Sequence, residues 1–325
     1  WSWSRGLGDV YKRQTLVTGF DIIFFWVARM TMMAGVFTER MPFADVYIHG
    51  LVRDEQNRKM SKSAGNGIDP LLLIERYGTD ALRFALVREV AGAGQDIRLD
   101  FDRKNQTSAT VEASRNFANK LWNATRFALI NLEDQDYENL ESYDSSKLQL
   151  SDRWILSRLA RVNHETANRY ENYALGEAAK GLYEFAWNDF CDWYLELIKR
   201  RLNNSENLSS DELLDRKIAK SVLYKVLSDL LIMLHPLMPH LTEELWHGLT
   251  GLDEDQFLAL QPWPKSNEQD LNLDLESSFS DLFASIRLIR NLRAVAGLKP
   301  SQKVPVMLVS GCLLYTSPSP RDQLQ

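Results

Sequence analysis

The sequence predicts a mainly α-helical protein in which part of a doubly wound α/β nucleotide-binding domain is followed by a helical bundle. Two observations predict this fold class. A β-branched and aromatic run, residues 45–52, leads into a polar loop with two glycines, which is typical of nucleotide-binding α/β folds. From about residue 111 onward apolar residues recur at helical spacing, most clearly over residues 222–234.

The composition favours a globular protein with a sizeable core. The chain has 325 residues, of which 45% are hydrophobic and 25% charged, and this length predicts two or three domains. The formal net charge of −6 excludes a protein-wide basic field, so any nucleic-acid site must be a local patch. Two cysteines, Cys191 and Cys312, can build neither a disulfide framework nor a cysteine-based zinc site. We therefore expect a reducing, cytoplasmic location and no zinc site.

The first predicted helix covers residues 19–33. Its uninterrupted apolar run spans only residues 22–28, and Asp21 and Arg29 flank it. Such a run is too short to cross a bilayer, so it predicts a buried helix and no membrane contact.

The two ends of the chain differ from what they flank. Residues 1–14 and 311–325 share no pattern with their neighbours and resemble adaptor DNA that has been translated as coding sequence. We expect both ends to be non-native and the chain to be a fragment whose native part spans about residues 15–310.

The most informative segment is the polar loop KMSKS, residues 59–63. It follows the predicted buried strand 45–52 and a charged turn, and it precedes an Asp-Pro pair that predicts a helix start. Lysines can follow a moving phosphoryl group, and serines with backbone amides freed by Gly65 and Gly67 complete an anion cradle. An isolated loop of this kind is more often a solvated surface turn, but its position after a strand favours phosphate binding.

Helical spacing predicts an antiparallel bundle of four or five helices, joined by polar linkers at residues 133–149 and 203–210, and a last helix over residues 275–296. The predicted divisions are a head (1–14), the second half of an α/β domain with its loop (15–65), a junction (66–110), the bundle (111–250), a linker with the last helix (251–310) and a tail (311–325).

These segments together resemble one family. KMSKS followed by Gly-Asn and Asp-Pro resembles the signature loop of class I aminoacyl-tRNA synthetases. GFDIIFFWVARM resembles the helix that binds the aminoacyl-adenylate in their valine, isoleucine and leucine branch, and Ile22 and Ile23 stand where isoleucine enzymes usually carry Gln-His. The segments YGTDALRFAL, AGQDIRLD, RNFANKLWN, FCDWYLE and HPLMPHLTEELW resemble the valine members. The resemblance implies an ATP-dependent ligase that makes valyl-adenylate and transfers valine to valine tRNA.

The resemblance also implies roles for individual residues. Gly19 and Asp21 would lie at the ribose of the adenylate, and Trp26 would form a wall of the valine pocket. Lys59 and Lys62 would bind the β- and γ-phosphates of ATP while magnesium pyrophosphate leaves. The other implied catalytic and adenylate-binding residues are Ser61, Ser63, His49, Gly50, Val52 and Met60. Two further residues would support the loop and the helix after it, namely Asn66 and Arg83.

The bundle is implied to hold the anticodon stem and loop of valine tRNA. The candidate contacts are Arg115, Asn119, Arg153, Arg158, Lys199, Arg200 and Arg201. Three tryptophans are predicted to be bundle core, namely Trp122, Trp187 and Trp193. His235 and His240 flank prolines, which predicts packing in turns rather than a functional role.

Two alternatives stay open on the sequence alone. The His-x-Gly-His motif and the editing domain of such ligases do not occur in the printed sequence, so the chain by itself is expected to be inactive. The family also implies a monomeric parent. One alternative is a fragment of an isoleucine enzyme, and the other is a non-catalytic tRNA-binding protein built from the bundle.

Overall fold

A computed structural model of the chain describes residues 15–61, 63–90, 94–132, 144–202, 208–251, 255–265, 268–299 and 302–305. The predicted non-native head and tail, Lys62, Cys312 and much of both predicted linkers lie outside the described residues. The chain divides into two compact units, residues 1–276 and 277–325. The first unit contains the α/β part, the junction and the bundle.

The α/β part contains two pairs of parallel strands. Strands β1 (Thr15–Gly19) and β2 (Asp45–His49) pair in parallel, and strand β3 (Val52–Arg53) pairs with β4 (Ile97–Arg98). The predicted single buried strand 45–52 is therefore two short strands, of which the first is largely exposed. The break lies at Gly50, where a Cβ atom would stand 1.7 Å from the carbonyl oxygen of Gln95. Only a glycine lets the two backbones come this close.

A helical segment connects β1 to β2. It runs from a 3-10 turn (Phe20–Ile22) through a π-helical stretch (Ile23–Val27) into α1 (Ala28–Thr38). This 19-residue segment is long and apolar enough to cross a membrane, and only 6% of it is buried. The prediction of a buried helix is wrong for this structure, since Phe24 is 78% and Val36 75% exposed. An apolar sequence predicts that a helix favours burial, but it does not show which other residues cover the helix.

The junction connects the α/β part to the bundle. Helix α2 (Pro70–Tyr77) begins as predicted, because the side chain of Asp69 accepts a hydrogen bond from the Leu71 amide and Pro70 occupies the first turn. Helix α3 (Thr79–Arg88) follows, and a hairpin of β5 (Phe101–Asp102) and β6 (Thr107–Ser108) completes the segment. Their shared core consists of Leu73, Tyr77, Ala81, Leu82, Ala85, Leu99, Phe101 and Val111.

The bundle has five antiparallel rods among the described residues, at the upper end of the predicted number. The first two rods are α4 (Ala109–Leu132) and α5 (Leu150–Glu171). The third is continuous and consists of α6 (Leu175–Glu184), a π-helical stretch (Phe185–Tyr194) and α7 (Leu195–Leu202). The last two are α8 (Ser210–Leu234) and α9 (Pro239–Thr250). The predicted last helix is α10 (Leu273–Val295). In the second unit, the rings of Phe279 and Phe283 pack edge to face.

Helix α8 is the centre of the bundle. Its apolar residues from Val222 to Leu234 are buried, except for the half-buried Tyr224 and Ile232, and even Lys220 on the same helix is only 1% exposed. A capping box fixes its start, because the Ser209 hydroxyl accepts from the Glu212 amide while the Glu212 carboxylate accepts from the Ser209 amide. This helix packs against several neighbouring helices, which buries most of its apolar residues.

The tryptophan predictions are partly correct. Trp193 is buried in the bundle, as predicted. Trp187 is half-buried, with its ring stacked on Tyr183 and the ammonium of Lys120 3.9 Å from its centre. Trp122 is 46% exposed, so the prediction of a core position is wrong there. The neighbouring Leu121 faces the core, and adjacent positions on a helix point in different directions.

Two arginines predicted to contact tRNA are instead held by carboxylates within the fold. Both arms of Arg201 are engaged, with Nη1 2.6 Å from Asp152 Oδ1 and Nη2 2.8 Å from Asp215 Oδ1, and its side chain is only 8% exposed. Arg158 pairs with Asp189 at 2.8 Å and with Glu276 at 3.2 Å. Both side chains therefore have partners within the fold, and their contact with tRNA stays a prediction.

We expect Gly50→Ala to destabilise the protein by about 1–3 kcal/mol, because the new methyl group forces two backbones apart. Urea denaturation measures the effect. Gly35→Ala is the control, since a Cβ atom there has no neighbour within 4 Å and lies inside α1. The Gly35→Ala variant should be more stable than the wild type by about 0.5–1 kcal/mol. Equal stability of Gly50→Ala and the wild type would show that the backbones separate without cost.

We expect Arg201→Met to destabilise the bundle by about 3–5 kcal/mol, because Asp152 is left charged and buried. Arg200→Met provides a matched control on the exposed side of the same helix and should lie within about 0.5 kcal/mol of the wild type. The free energy of unfolding of both variants is measured in urea. Similar losses in the two variants would contradict a structural role for Arg201.

Candidate functional site: the KMSKS loop and the strand ends

A buried aspartate organises the base of the loop. The carboxylate of Asp54 accepts from the backbone amides of Gln56 at 3.1 Å and Arg58 at 2.7 Å, and from Arg58 Nε at 2.9 Å. Its Oδ2 atom also accepts from Asn66 Nδ2 at 3.0 Å. Burial opposes ionisation, but the hydrogen bonds from Asn66 and Arg58 outweigh it and hold the pKa of Asp54 well below its usual range. Asp54 is therefore a fixed negative charge at physiological pH.

Asn66 closes the loop from its far end. Its amide nitrogen donates to the Lys59 carbonyl at 3.2 Å, and its amide oxygen accepts from the Ser61 amide at 2.9 Å. The bond to Asp54 joins this end to the turn before the loop. The expectation that Asn66 supports the loop is confirmed by these contacts.

The serines and glycines of the loop form a compact turn. The hydroxyl of Ser61 accepts from the Ala64 amide at 3.2 Å and lies 3.3 Å from that of Ser63. Gly65 has a φ of +61°, a left-handed conformation that favours glycine. Gly67 has no positive φ and no neighbour near a built Cβ atom, so only Gly65 is required by the backbone. Met60 is half-buried within the same turn.

The loop lies at the carboxyl ends of the first strand pair. Gly19 and His49 end β1 and β2 opposite each other, and Asp21 follows directly after β1. Lys59 Nζ lies 2.8 Å from Asp21 Oδ2, and the hydrogen bond and charge of this lysine lower the pKa of Asp21. Gly19 is buried, and a Cβ atom there would stand 2.8 Å from Asp21 Oδ1. The structure thus brings together three of the predicted adenylate residues and one predicted catalytic lysine.

The side chain of His49 is exposed although its backbone ends β2 at this edge, and its Nδ1 lies 2.9 Å from the Gly50 carbonyl oxygen. The remaining predicted adenylate and valine residues are more dispersed. Val52 is half-buried in β3, where it faces Ile97 across the strand pair. Trp26 is 44% exposed on the helical segment after β1. The valine-pocket role of Trp26 stays a prediction.

Arg83 does not support the loop as expected. Its Nη2 donates to the Pro236 carbonyl at 3.3 Å, in the turn between α8 and α9. On the same helix α3, Asp80 Oδ2 accepts from the Leu241 amide at 2.6 Å, in the first turn of α9. These two residues therefore join the junction to the bundle, a long-range contact that no local pattern in the sequence indicates.

The other five predicted tRNA contacts are all exposed, and two of them have partners within the fold. Arg115 donates to the Tyr77 carbonyl at 3.1 Å and so satisfies the end of α2. Lys199 forms an ion pair with Glu196 on its own helix. Asn119, Arg153 and Arg200 are exposed and stay candidates. Four of the seven candidates, Arg115, Lys199, Arg158 and Arg201, thus have partners within the fold.

Sequence reasoning missed three residues at the loop. Asp54, Glu55 and Arg103 make the contacts that hold its base and its two ends. Asp54 could have been suspected, because an aspartate directly after a strand in such a fold lies near the ligand edge. Arg103 carries no local signal, since its partners are 36–48 residues away in sequence.

A cavity of about 390 Å³ is lined by His235, Pro239, His240, Glu243, Glu244 and His247. His235 Nδ1 lies 2.9 Å from Thr242 Oγ1, and the packing role of both predicted turn histidines stays a prediction. Within the described part of the chain, no group of three His, Cys, Asp or Glu side chains is arranged to hold a metal ion. Burial raises the pKa of Cys191 to about 12, so this thiol is inert.

Two family models match the chain. Residues 4–100 match "tRNA synthetases class I (I, L, M and V)", and residues 152–308 match "Anticodon-binding domain of tRNA ligase". The first match contains the loop and both strand pairs, and the second contains α5 to α10.

The chain is also similar to curated valine–tRNA ligases. It is 99% identical over 301 residues to that of Prochlorococcus marinus (strain NATL2A), which covers 93% of this chain and 32% of the relative. It is 76% identical to that of Parasynechococcus marenigrum (strain WH8102), covering 95% of this chain and 34% of the relative. The chain therefore spans about a third of the length of these relatives.

Solved structures with a similar fold include two aminoacyl-tRNA synthetases. The chain in a ternary complex of Agrobacterium radiobacter K84 agnB2 LeuRS with tRNA and LeuAMS aligns with a TM-score of 0.59 at 20% identity, over 80% of this chain and 29% of that one. Mycobacterium tuberculosis methionyl-tRNA synthetase bound by methionyl-adenylate aligns with a TM-score of 0.56 at 22% identity, over 79% and 50%. At this identity the likeness shows the fold alone.

We expect Asp54→Asn to be less stable than the wild type at neutral pH, because the charged acceptor of four hydrogen bonds is lost. The folded pKa of Asp54 lies below the unfolded value near 3.9, so its contribution is present above that pH and is lost as the pH falls toward the folded pKa. The difference between the urea concentrations at which the variant and the wild type are half unfolded should therefore be constant from pH 7 to pH 5. It should become smaller below about pH 4. A gap that is unchanged at pH 3 would contradict this assignment.

Proposed function

We propose that the chain, as a member of the class I valine–tRNA ligases, supplies the ATP-handling loop and the tRNA-binding bundle of such an enzyme. The observation that carries this proposal is the position of Lys59 at the carboxyl ends of β1 and β2, beside Asp21. Ligands of doubly wound sheets bind at this edge. The isoleucine alternative is not favoured, since curated relatives at 99%, 76% and 73% identity are valine enzymes.

In the proposed reaction, the carboxylate of valine attacks the α-phosphorus of ATP. A bond forms between the carboxylate oxygen and this phosphorus, the bond between the α-phosphorus and its bridging oxygen breaks, and magnesium pyrophosphate leaves. No general base is needed, because the valine carboxylate is already ionised. Lys59 and Lys62 would neutralise the charge that develops on the departing phosphates, and the transfer of valine to tRNA follows.

Asp21 and Lys59 would change partners when ATP binds. In this structure each satisfies the other at 2.8 Å. In the proposed complex Asp21 accepts from a ribose hydroxyl and Lys59 binds phosphate, with Gly19 permitting close approach of the ribose. The ion pair is exposed, so breaking it costs little compared with the contacts that the nucleotide offers.

Two surfaces of the chain fit a longer protein. The exposed apolar face of residues 20–38 would be covered by other parts of a full-length ligase, which is about three times as long as this chain. Exposed polar residues of the bundle, among them Asn119, Arg153 and Arg200, would contact tRNA, and such binding should weaken steeply with salt. A cytoplasmic location and valine tRNA as partner belong to the same proposal.

The test is Lys62→Ala in a full-length ligase that carries this sequence in the matching segment. We expect the rate of valyl-adenylate formation to fall by roughly 10²- to 10³-fold, because one preorganised cation is lost from the transition state. The affinity for valine should stay unchanged, since the residues implied to bind valine are intact. Single-turnover kinetics with ATP and valine separate the two quantities.

Lys104→Ala is the control, because it removes an exposed lysine of the hairpin and should leave the rate unchanged. A Lys62→Ala enzyme with a normal activation rate and only a weaker affinity for ATP would show that this lysine acts in the ground state. The 325-residue chain by itself is expected to give no pyrophosphate exchange, and exchange by the purified chain would contradict the need for a His-x-Gly-His motif.

A further inference from the structure

The turn that joins β5 to β6 is rigidly built. Its first carboxylate, Asp102, accepts from the amides of Lys104 at 2.8 Å and Asn105 at 3.2 Å, and from the Asn105 side chain at 2.7 Å. Gln106 takes a positive φ of 53°, and Arg76 on α2 donates to the Asn105 carbonyl at 3.0 Å. This turn therefore holds the backbone of Arg103, the residue after Asp102, in one place.

The guanidinium of Arg103 contacts both ends of the KMSKS loop. On the side before the loop, Arg103 Nε lies 2.8 Å from Glu55 Oε1 and Nη2 lies 3.3 Å from Glu55 Oε2. On the side after the loop, Nη2 donates to the Asn66 carbonyl at 2.7 Å and Nη1 to the Gly67 carbonyl at 3.5 Å. Hydrogen bonds from Arg103 lower the pKa of Glu55, so the carboxylate remains charged. One side chain thus bridges segments that lie 11 residues apart.

The hairpin also leads directly into the first helix of the bundle. The carboxylate of Asp100, just before β5, accepts from the Ser108 hydroxyl at 2.7 Å and from the Thr110 amide at 3.1 Å. Thr110 lies in the first turn of α4. A continuous set of hydrogen-bonded groups therefore runs from the start of α4 through the hairpin to the loop.

We propose that Arg103 is a positioning residue that holds the two ends of the KMSKS loop together and fixes the loop to the start of the bundle. The inference rests on the proposed function, because it concerns the loop that would bind the phosphates of ATP. Catalysis by fixed charges requires that the charges be in place before the reaction, and a loop that is fastened at both ends has fewer conformations to lose. Arg103 touches no reacting group, so its effect is exerted through the loop.

The geometry distinguishes this role from an ordinary surface ion pair. The side chains of Arg103 and Glu55 are 39% and 25% exposed, and an exposed pair alone contributes little. The two backbone carbonyls are different, because they need donors at fixed angles that only the planar fork of arginine supplies together with the carboxylate contact. Lysine keeps the charge but cannot make all these contacts.

The first test measures the loop without any activity. Hydrogen–deuterium exchange is followed in the 325-residue chain at the Ser61 and Ala64 amides, which donate to Asn66 and Ser61 inside the loop. We expect Arg103→Met to speed their exchange about tenfold, Arg103→Lys to do so nearly as much, and the amides of α8 to be unaffected. Lys104→Met removes one charge from the same hairpin and should leave all rates within twofold.

Two outcomes would overturn the proposal. Unchanged exchange at Ser61 and Ala64 in Arg103→Met would show that the loop is held without this arginine. Equal acceleration in the loop and in α8 would show general loss of stability rather than a local role. Arg103→Lys behaving like the wild type would count against the need for the fork.

The second test uses the full-length ligase that carries this segment. Arg103→Met should lower the rate of valyl-adenylate formation about tenfold with little change in the affinity for valine, and Lys104→Met should match the wild type. If the loop loosens in the exchange experiment while the activation rate stays normal, Arg103 positions the loop but the proposed phosphate role of the loop fails. If neither quantity changes, the positioning role itself fails.

Discussion

The buried carboxylate of Asp54 is the interaction on which the loop region depends. A charge removed from water is tolerated only when its hydrogen bonds are made, and Asp54 obtains them from its own turn and from Asn66. The need to satisfy this one group brings residues 12 apart in sequence together and closes the loop between them. Once the base is closed, Lys59 extends toward Asp21 and the strand ends. The position of the candidate catalytic lysine thus follows from the hydrogen bonds of a residue that takes no part in the chemistry.

The bundle uses buried charge for a different purpose. The middle of helix α8 packs against several neighbouring helices, so charged residues beside it pair with one another rather than with solvent. Arg201 joins Asp152 on α5 to Asp215 on α8, and Arg158 joins Asp189 to Glu276. These pairs connect neighbouring helices at fixed positions along their length.

The two parts are joined by contacts between polar groups and helix ends. Asp80 accepts from the first turn of α9, where the preceding Met238 offers no side-chain cap, and Arg83 satisfies the carbonyl of Pro236. A carboxylate at a helix N-terminus is favoured by the exposed amides and by the macrodipole. Because α3 lies one helix beyond the loop, these contacts set the position of the bundle relative to the candidate site.

Local patterns in the amino-acid sequence were enough to predict the succession of elements and to identify the loop. Helical spacing located the rods of the bundle, Asp69 and Pro70 marked the start of α2, and KMSKS with its glycines indicated phosphate binding. These features are local, since periodicity, caps and turn residues act within a few positions of the chain. They also implied the adenylate residues at the strand ends that the structure brings together.

The pairing and burial of individual side chains could not be predicted in this way, because they depend on the tertiary structure. The sequence predicted that Arg158 and Arg201 are surface cations and that Trp122 is a core residue. In the structure both arginines form ion pairs and Trp122 lies at the surface. The partners of Arg103 and the backbone approach at Gly50 are likewise set by residues that are far away in the chain. Burial and pairing depend on what packs against a residue from elsewhere in the fold, and this is a property that no local pattern contains.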